Sequence, residues 1–314
     1  MGGDYPEHVS YEGIQTVKFD AIGLGLCAWD RILLFERYPG ANQKVEVISS
    51  TASGGGPVPT ALAAFSKLGG KAAFLGVVGD DLEGDLVRQD LRRFGVDTTH
   101  LISRPKCKTP CAYIWVDRES GDRTVALDPG TVDFLKPGQL PESLIRQIPF
   151  LLIDGRHGEP CLAAARLCRE GGGTVILDAG SPRQRIHDLL AFTDHAVVSQ
   201  DFVAGTFPGT DFDGALSKIG ALGPKSVVIT CGAEGGYWWE NSASGRYGAF
   251  LVPVLDTTGA GDAFHGGYLF ALKSGDSIQR RCDFASAAAA LACRALGGRA
   301  ALANYQDVIS LLGK

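Results

Sequence analysis

The chain of 314 residues carries a formal charge of −5, with 45% apolar and 21% charged residues, as in soluble globular proteins with one large core. The negative net charge argues against a general binder of nucleic acids or membrane surfaces, because affinity for polyanions needs a basic face. The eight cysteines form no C-x-x-C pair, which is typical of buried thiols in a reducing cytosol. No apolar run reaches the roughly 18 residues of a membrane span. We therefore expect a cytoplasmic protein, with residues 1–16 as a loose tail.

The first predicted strand covers residues 17–28 and is apolar on both faces, as expected for a central strand of a parallel sheet. It contains Gly23-Leu24-Gly25, but no helix follows at once, which disfavours a dinucleotide-binding turn. Asp30 comes just past the predicted carboxyl end, where open α/β sheets bind ligands. Its carboxylate can accept hydrogen bonds from two neighbouring hydroxyl groups of a ligand, or it can cap local backbone.

Three segments alternate polar and apolar residues and fall outside the parallel-sheet pattern: residues 44–51, 111–116 and 123–127. This alternation predicts a small antiparallel sheet with one solvated face. Its strands would come from about residues 32–52 and 109–128. Elsewhere strands and helices alternate along the chain, which predicts an α/β fold with a mainly parallel central sheet flanked by helices.

Two further turns approach the same edge of the predicted sheet. Gly54-Gly55-Gly56 precedes a helix ending near Leu68, and glycines there allow the backbone to come close to a ligand. A buried strand ends at Asp154, which places a second acid beside Asp30. Arg156 follows, and its guanidinium can either neutralise a phosphate or lie at the surface.

The most informative stretch covers residues 256–267, Asp-Thr-Thr-Gly-Ala-Gly-Asp-Ala-Phe-His-Gly-Gly, between an apolar run and a helix-compatible run. The backbone N–H groups of Gly259, Ala260 and Gly261 are the unpaired first donors of that helix, so they form an anion site. Asp262 stands in the first helical turn, and a carboxylate next to a bound phosphate suits a general base acting on a hydroxyl group. An ordinary strand-to-helix turn is the alternative interpretation.

This twelve-residue string resembles the C-terminal signature of the ribokinase-like (PfkB) carbohydrate kinases. The glycine turn before the first helix and the T-x-G-x-x-G turn at residues 230–235 resemble further motifs of the family, in the family's order. The Asp-Gly-Arg sequence at residues 154–156 looks most like the ketohexokinase-like branch. The resemblance covers roughly residues 17–312 and implies a single kinase domain over residues 17–314. It also implies that the small sheet forms a lid over the sugar and, in some relatives, a homodimer contact.

The resemblance also implies roles for individual residues and for small molecules. Asp262 would be the catalytic base, and the transferring phosphate would lie on Gly259, Ala260 and Gly261. The residues implied in acceptor binding are Asp30, Gly55, Gly56, Thr60 and Asp154. The residues implied in nucleotide binding are Ser199, Thr230, Gly232 and Gly235. The implied ligands are a sugar and ATP with Mg²⁺, together with a monovalent cation such as K⁺ near Asp256 and Thr258.

Two positions depart from the family pattern. Thr60 stands where the family has an asparagine that contacts the sugar, and a hydroxyl replaces the amide. Ser199-Gln200-Asp201-Phe202 replaces the family's Asn-x-x-Glu, so the sequence nominates no metal ligand.

The sequence thus predicts an ATP-dependent kinase that phosphorylates a hydroxymethyl group of a ketohexose or pentose. A nucleoside kinase of the same fold and a non-catalytic sugar-binding relative are alternatives, and a nicotinamide dehydrogenase is the weakest one. The absence of G-x-x-x-x-G-K-[ST] from the sequence excludes a P-loop kinase.

Overall fold

The computed structural model describes residues 19–313, so the predicted tail at residues 1–16 lies outside the described residues. Within this range the chain forms thirteen strands and ten α-helices. The strands are β1 (Ala21–Leu24), β2 (Ala28–Phe35), β3 (Ser49–Gly55), β4 (Ala72–Gly79), β5 (Leu101–Arg104), β6 (Cys111–Asp117), β7 (Arg123–Asp128), β8 (Phe150–Ile153), β9 (Thr174–Ala179), β10 (His195–Ser199), β11 (Ser226–Thr230), β12 (Gly236–Glu240) and β13 (Ala243–Tyr247). The helices are α1 (Pro57–Lys67), α2 (Leu82–Arg93), α3 (Glu142–Gln147), α4 (Glu159–Glu170), α5 (Ile186–Leu190), α6 (Gln200–Thr206), α7 (Phe212–Gly220), α8 (Ala260–Lys273), α9 (Ile278–Ala292) and α10 (Tyr305–Leu312).

The central sheet has nine strands in the order β13-β12-β11-β10-β9-β8-β1-β4-β5. The strands from β11 to β5 pair in parallel, and β12 and β13 add an antiparallel hairpin at one edge. Parallel neighbours need crossover connections, which the intervening helices supply. The carboxyl ends of β1, β8, β9, β10 and β11 therefore lie side by side along one edge.

Helices cover both faces of this sheet at β1, β4 and β8 to β11, which explains why these strands are apolar over most of their length. On one face Leu151 of β8 packs in the same cluster as Leu162 of α4. On the other face Leu152 packs with Leu62 of α1 and Leu269 of α8. Successive side chains of a strand point to opposite faces, so both must be apolar when both are covered.

The first strand is shorter than residues 17–28. It ends at Leu24, and the chain then leaves the central sheet and begins β2 at Ala28. The Asp154 carboxylate lies at this break and accepts a hydrogen bond from the Leu26 N–H at 3.0 Å. A side chain at Gly25 would clash with the same carboxylate. Asp30 is therefore the third residue of β2 and does not lie in a loop after β1.

The second sheet has four strands in the order β3-β2-β6-β7. The pairs β2–β3 and β6–β7 are antiparallel, and β2 pairs with β6 in parallel. We call this four-stranded sheet the lid. Its third strand in chain order begins at Cys111 as predicted, whereas β3 begins at Ser49, five residues after the predicted start.

Strand pairing assigns the side chains of the lid to two faces. Asp30 pairs with Ala112, and Ala112 with Leu127, so these side chains share one face, which looks towards the central sheet. The alternate residues Tyr113 and Trp115 are 44% and 39% exposed on the outer face. The lid therefore has an inner face that can line a site and an outer apolar face.

No helix within residues 19–313 is long and apolar enough to cross a membrane.

Candidate active site

A cavity of about 480 Å³ lies between the inner face of the lid and the carboxyl edge of the central sheet. It brings together residues from the lid, from the ends of β8 to β11 and from the start of α8. Its polar lining residues are Asp30, Arg123, Asp154, Arg156, Asp178, Ser181, Arg183, Ser199, Asp201, Thr230, Thr258, Asp262 and His265. Such a crevice at the carboxyl ends of parallel strands is the usual ligand site of an open α/β sheet.

The glycine turn before α8 points its first backbone donors into this cavity. Gly259 caps the helix with a left-handed backbone (φ 75°), and a side chain there would clash with Gly298. Within residues 19–313 the N–H groups of Gly259 and Gly261 have no hydrogen-bond acceptor. The N–H of Ala260 instead donates to the Thr257 carbonyl at 3.2 Å. Of the three N–H groups predicted to bind an anion, those of Gly259 and Gly261 are thus open, and that of Ala260 is used in the turn itself.

Asp262 is the third residue of α8, and its half-buried side chain lines the cavity. Burial raises the pKa of its carboxyl group well above the usual value, and the negative charge of Asp178 raises that pKa further. The positive charge of Arg123 acts in the opposite direction. A carboxylate with a raised pKa accepts a proton more readily than an exposed one, which suits a general base.

Arg123 reaches the site from strand β7 of the lid. Its guanidinium Nη1 donates to the Thr257 hydroxyl at 3.0 Å, and that hydroxyl donates to the Gly121 carbonyl at 3.2 Å. The lid hairpin thereby contacts the turn that carries the anion site. The sequence interpretation placed Arg123 in the lid without a role, because no local pattern shows which way a strand arginine points.

Asp178 is a second site residue that the sequence interpretation missed. It is buried near the carboxyl end of β9, and its Oδ2 atom has no hydrogen-bond partner within the described residues. Its Oδ1 atom lies 3.5 Å from Nε2 of His265. His265 in turn places Nδ1 2.7 Å from the Gly261 carbonyl, which ties the glycine turn to this carboxylate.

Asp30 and Asp154 both line the cavity, from the lid and from the end of β8, and their contact with an acceptor stays a prediction. Burial raises the pKa of Asp30 to about 7 and that of Asp154 to about 6. Asp154 already accepts hydrogen bonds from two backbone N–H groups. Gly56 lines the cavity, while Gly55 lies directly behind the Asp30 side chain and leaves room for its carboxylate.

The structure does not bring Thr60 into the cavity, which corrects its assignment to the acceptor site. The Thr60 side chain is buried in α1, and its hydroxyl accepts a hydrogen bond from Nε of Arg299 at 3.1 Å. Arg299 is completely buried and also donates to the Gly55 carbonyl (3.1 Å) and to the Asp90 carboxylate (2.7 Å). The hydroxyl is thus committed to a structural arginine, for which the sequence carries no signal.

Only two of the four residues predicted to contact the nucleotide line this cavity. Ser199 and Thr230 line it, at the adjacent carboxyl ends of β10 and β11. The Ser199 hydroxyl caps α6 by accepting from the Phe202 N–H at 3.0 Å. Gly232 and Gly235 form the next turn with left-handed backbones (φ 57° and 80°) and lie outside the cavity lining. Their nucleotide contact stays a prediction.

Comparison with known proteins decides the family. A family model described as pfkB family carbohydrate kinase matches residues 22–304. The chain belongs to this family. It is 28% identical to the ATP-dependent ribose-1-phosphate kinase of Halopiger xanaduensis, over 89% of this chain and 94% of that protein. It is 31% identical to the aminoimidazole riboside kinase of Salmonella typhimurium, over 76% of this chain and 81% of that one.

The fold is that of the ribokinases. The structure of Arabidopsis thaliana ribokinase complexed with ribose and ATP has a TM-score of 0.81 to this chain. The two sequences are 22% identical, and the match covers 94% of this chain and 99% of that one. The predicted α/β fold with a small second sheet is thus confirmed, as is the resemblance to the pfkB carbohydrate kinases.

The oxygen donors of this pfkB kinase fit a magnesium ion that is held mainly by phosphates. Residues 19–313 contain no cluster of three or more His, Cys, Asp or Glu side chains that could hold a metal. Magnesium is commonly bound by one or two carboxylates together with substrate phosphates. Asp178 offers a buried carboxylate oxygen that has no partner in the described part of the chain, and Asp201 lines the same cavity. Asp201 also supplies a carboxylate in the stretch that lacks the family's Asn-x-x-Glu.

The raised pKa of Asp30 predicts a pH-dependent stability for the kinase without ligands. Because the folded-state pKa exceeds the unfolded one, the free energy of unfolding falls as the pH rises from about 4 to about 7. Asp30→Asn should therefore stabilise the free protein by on the order of 1–3 kcal/mol at pH 8, and hardly at all at pH 4. Thermal unfolding at the two pH values measures this difference. An equal stability gain at both would contradict it.

Proposed function

We propose that this protein is an ATP-dependent kinase that transfers the γ-phosphoryl group to a hydroxymethyl group of a sugar of the pentose or ketohexose type. One observation carries the proposal. The Asp262 carboxylate lies in the same cavity as the unpaired N–H groups of Gly259 and Gly261. A proton acceptor and an anion site are thereby adjacent, which is the arrangement that phosphoryl transfer to an alcohol requires.

Asp262 would remove the proton of the acceptor hydroxyl while its oxygen attacks the γ-phosphorus and the bond to ADP breaks. The proton stays on the carboxyl group, whose raised pKa favours holding it. The N–H groups of Gly259 and Gly261 would bind the oxygens of the transferring group. Arg123, fixed on Thr257, would add a positive charge at the same place. When bound, Mg²⁺ supplies neutralisation of the β- and γ-phosphates.

The acceptor would bind between the lid and the end of β8, with Asp30 and Asp154 accepting hydrogen bonds from its hydroxyl groups. Both carboxylates line the cavity, and Gly56 lets the backbone approach the ligand. Thr60 takes no part in this proposal, since its hydroxyl is bound by Arg299. On the other side, Ser199 and Thr230 would contact the nucleotide, together with the turn at Gly232 and Gly235.

A nucleoside acceptor is a second candidate, favoured by one observation. A second cavity of about 460 Å³ adjoins the first and shares Leu26, Leu127, Arg156 and Arg183 with it. The rings of Phe134 and His157 lie at its side, with centroids 4.7 Å apart and planes tilted by 32°. A nucleobase could stack there. The relative from Salmonella typhimurium is named for a riboside substrate.

A screen of acceptors tests the proposed function and separates the two candidates. ADP release should be measured with Mg²⁺–ATP and three sets of compounds: pentoses, ketohexoses and nucleosides, each also as its anionic derivative. We expect turnover with a sugar and at least tenfold lower kcat/KM with every nucleoside. Higher efficiency with a nucleoside would favour the second candidate. Sugar binding without ADP release from any compound would leave a non-catalytic sugar-binding protein.

Two finer features are also part of the proposal. A monovalent cation such as K⁺ would bind near Asp256 and Thr258, where the buried Thr258 hydroxyl has no hydrogen-bond partner among the described residues. Replacing K⁺ by tetramethylammonium tests this site through the rate. The outer face of the lid, with Tyr113 and Trp115, would form a homodimer contact, which light scattering measures directly.

A further inference from the structure

Arg156 and Arg183 are two arginines of the site that form no ion pair in the described part of the chain. Arg156 follows β8 and Arg183 follows β9, so the two come from adjacent carboxyl ends and line the same cavity. Neither forms an ion pair within residues 19–313. Among the described residues, the buried Nε atom of Arg156 has no hydrogen-bond partner, and Arg183 makes only a 3.5 Å contact with the Pro182 carbonyl.

The two positive charges lie close enough to oppose each other. Burial lowers the pKa of Arg183, and the charge of Arg156 lowers it further, while Asp154 and Asp178 act in the opposite direction. Removing two like charges from water without pairing them is costly. A bound anion offsets that cost, and a guanidinium is suited to it because it can donate two parallel hydrogen bonds to phosphate or carboxylate oxygens.

The position of the pair identifies the end of the acceptor that they would contact. Both arginines also line the second cavity, which includes Phe134 and His157. No residue of the glycine turn, and neither Asp262 nor Thr230, lines that second cavity. The arginines therefore line both cavities, and the part of an acceptor that enters the second cavity would contact them without contacting the phosphate-transfer groups.

Three other titratable groups lie near Arg156 and Arg183, and none of them forms an ion pair with either arginine within residues 19–313. Burial lowers the pKa of His157 to about 4, so this imidazole is neutral at physiological pH. Its buried Nδ1 atom has no hydrogen-bond partner in residues 19–313 and can form a hydrogen bond with a ligand as well. Asp133 lies on the exposed rim of the second cavity. Asp154 is oriented by the N–H groups of Leu26 and Arg156 and belongs to the hydroxyl-binding side.

We propose that the acceptor is an anionic sugar, with a phosphate, sulfonate or carboxylate group at the end remote from the phosphorylated hydroxymethyl group, and that Arg156 and Arg183 bind this group. The inference rests on the proposed kinase function and narrows its substrate class. It also gives Arg156 and Arg183, which form no ion pair within residues 19–313, an anionic ligand.

Matched pairs of acceptors test the inference. D-ribose is compared with D-ribose 1-phosphate, D-fructose with D-fructose 1-phosphate, and a neutral deoxy sugar with its sugar-acid counterpart. We expect kcat/KM to be roughly 10²-fold higher for at least one anionic member. In the double variant Arg156→Gln/Arg183→Gln this preference should fall to within a few fold, while the KM for ATP changes by less than about twofold. Arg166→Gln, at an exposed arginine of α4, is the matched control and should keep the preference.

Two kinetic results would overturn the inference, and a third result calls for a binding measurement. If the neutral members are used as well as the anionic ones, the kinase function stands and the anionic substrate class fails. If the double variant raises the KM for ATP and keeps the acceptor preference, the arginines bind the nucleotide. If no compound releases ADP, thermal shifts decide. If only the anionic compounds stabilise the protein, and a folded double variant loses this effect, the anion site is supported without the kinase function. If no compound stabilises the protein, the anion site and the kinase function are both overturned.

Discussion

Asp262→Asn should lower kcat by about 10²–10⁴-fold, which is the usual cost of removing a general base, while the fold and the binding of both substrates persist. Asparagine has nearly the same shape as aspartate but cannot take up the proton of the acceptor hydroxyl. Its neutral side chain also relieves the repulsion between Asp262 and Asp178, so the variant should be at least as stable as the wild type. Single-turnover rates and calorimetric binding of ATP and sugar measure the two parts separately.

Asp283→Asn is the matched control for this variant. Asp283 lies half-buried on the adjacent helix α9, and burial raises its pKa too, but it does not line the cavity. Asp283→Asn also removes a buried negative charge, but it should leave kcat within about twofold, because Asp283 would contact neither substrate. Near-normal turnover of Asp262→Asn, or an equal loss in the control, would exclude Asp262 as the base.

Arg299→Met should destabilise the protein by about 3–5 kcal/mol, as expected when one partner of a buried ion pair is removed. Arg299 is fully buried, and its guanidinium joins Asp90 of α2, Thr60 of α1 and the Gly55 carbonyl of β3. Asp90 also accepts from the Gly54 N–H at 3.2 Å. Loss of the arginine leaves the Asp90 carboxylate without its buried cation and releases the glycine turn behind Asp30. Urea unfolding measures the loss of stability.

Arg93→Met is a control that removes a different arginine paired with the same Asp90 carboxylate. Arg93 pairs with Asp90 at 3.1 Å, but its side chain is 69% exposed, so its removal should cost at most about 1 kcal/mol. A second substitution tests the cause. Arg299→Met/Asp90→Asn should recover part of the stability, because asparagine carries no charge and can still accept from Gly54. An Arg299→Met variant as stable as Arg93→Met would contradict the assigned role.

The glycine turn and the carboxylate that follows it could be predicted because their signals are local. A turn with Gly259 and Gly261 ahead of a helix creates unpaired N–H groups wherever it occurs, and Asp262 follows within the first helical turn. Even here one detail needed the structure. The Ala260 N–H donates to Thr257, so the open donors are those of its two glycine neighbours.

Other parts of the site depend on residues far apart in the chain. The end of β1 coincides with the carboxylate of Asp154, 128 residues after Leu26, so the sequence of the strand alone suggested a longer element. The role of Thr60 depends on Arg299, 239 residues later. Arg123 and Asp178 became site residues only through the approach of the lid and the order of strands in the sheet.

By itself, the sequence determined the α/β class, the family resemblance and the anion turn with its carboxylate. These follow from hydrophobic periodicity and from glycines next to a helix start, which act over a few residues. Tertiary structure alone decided which side chains share the cavity, which of them are already bound to protein partners, and which charges are left unpaired. Those properties depend on desolvation and on contacts between distant segments, and no local pattern encodes them.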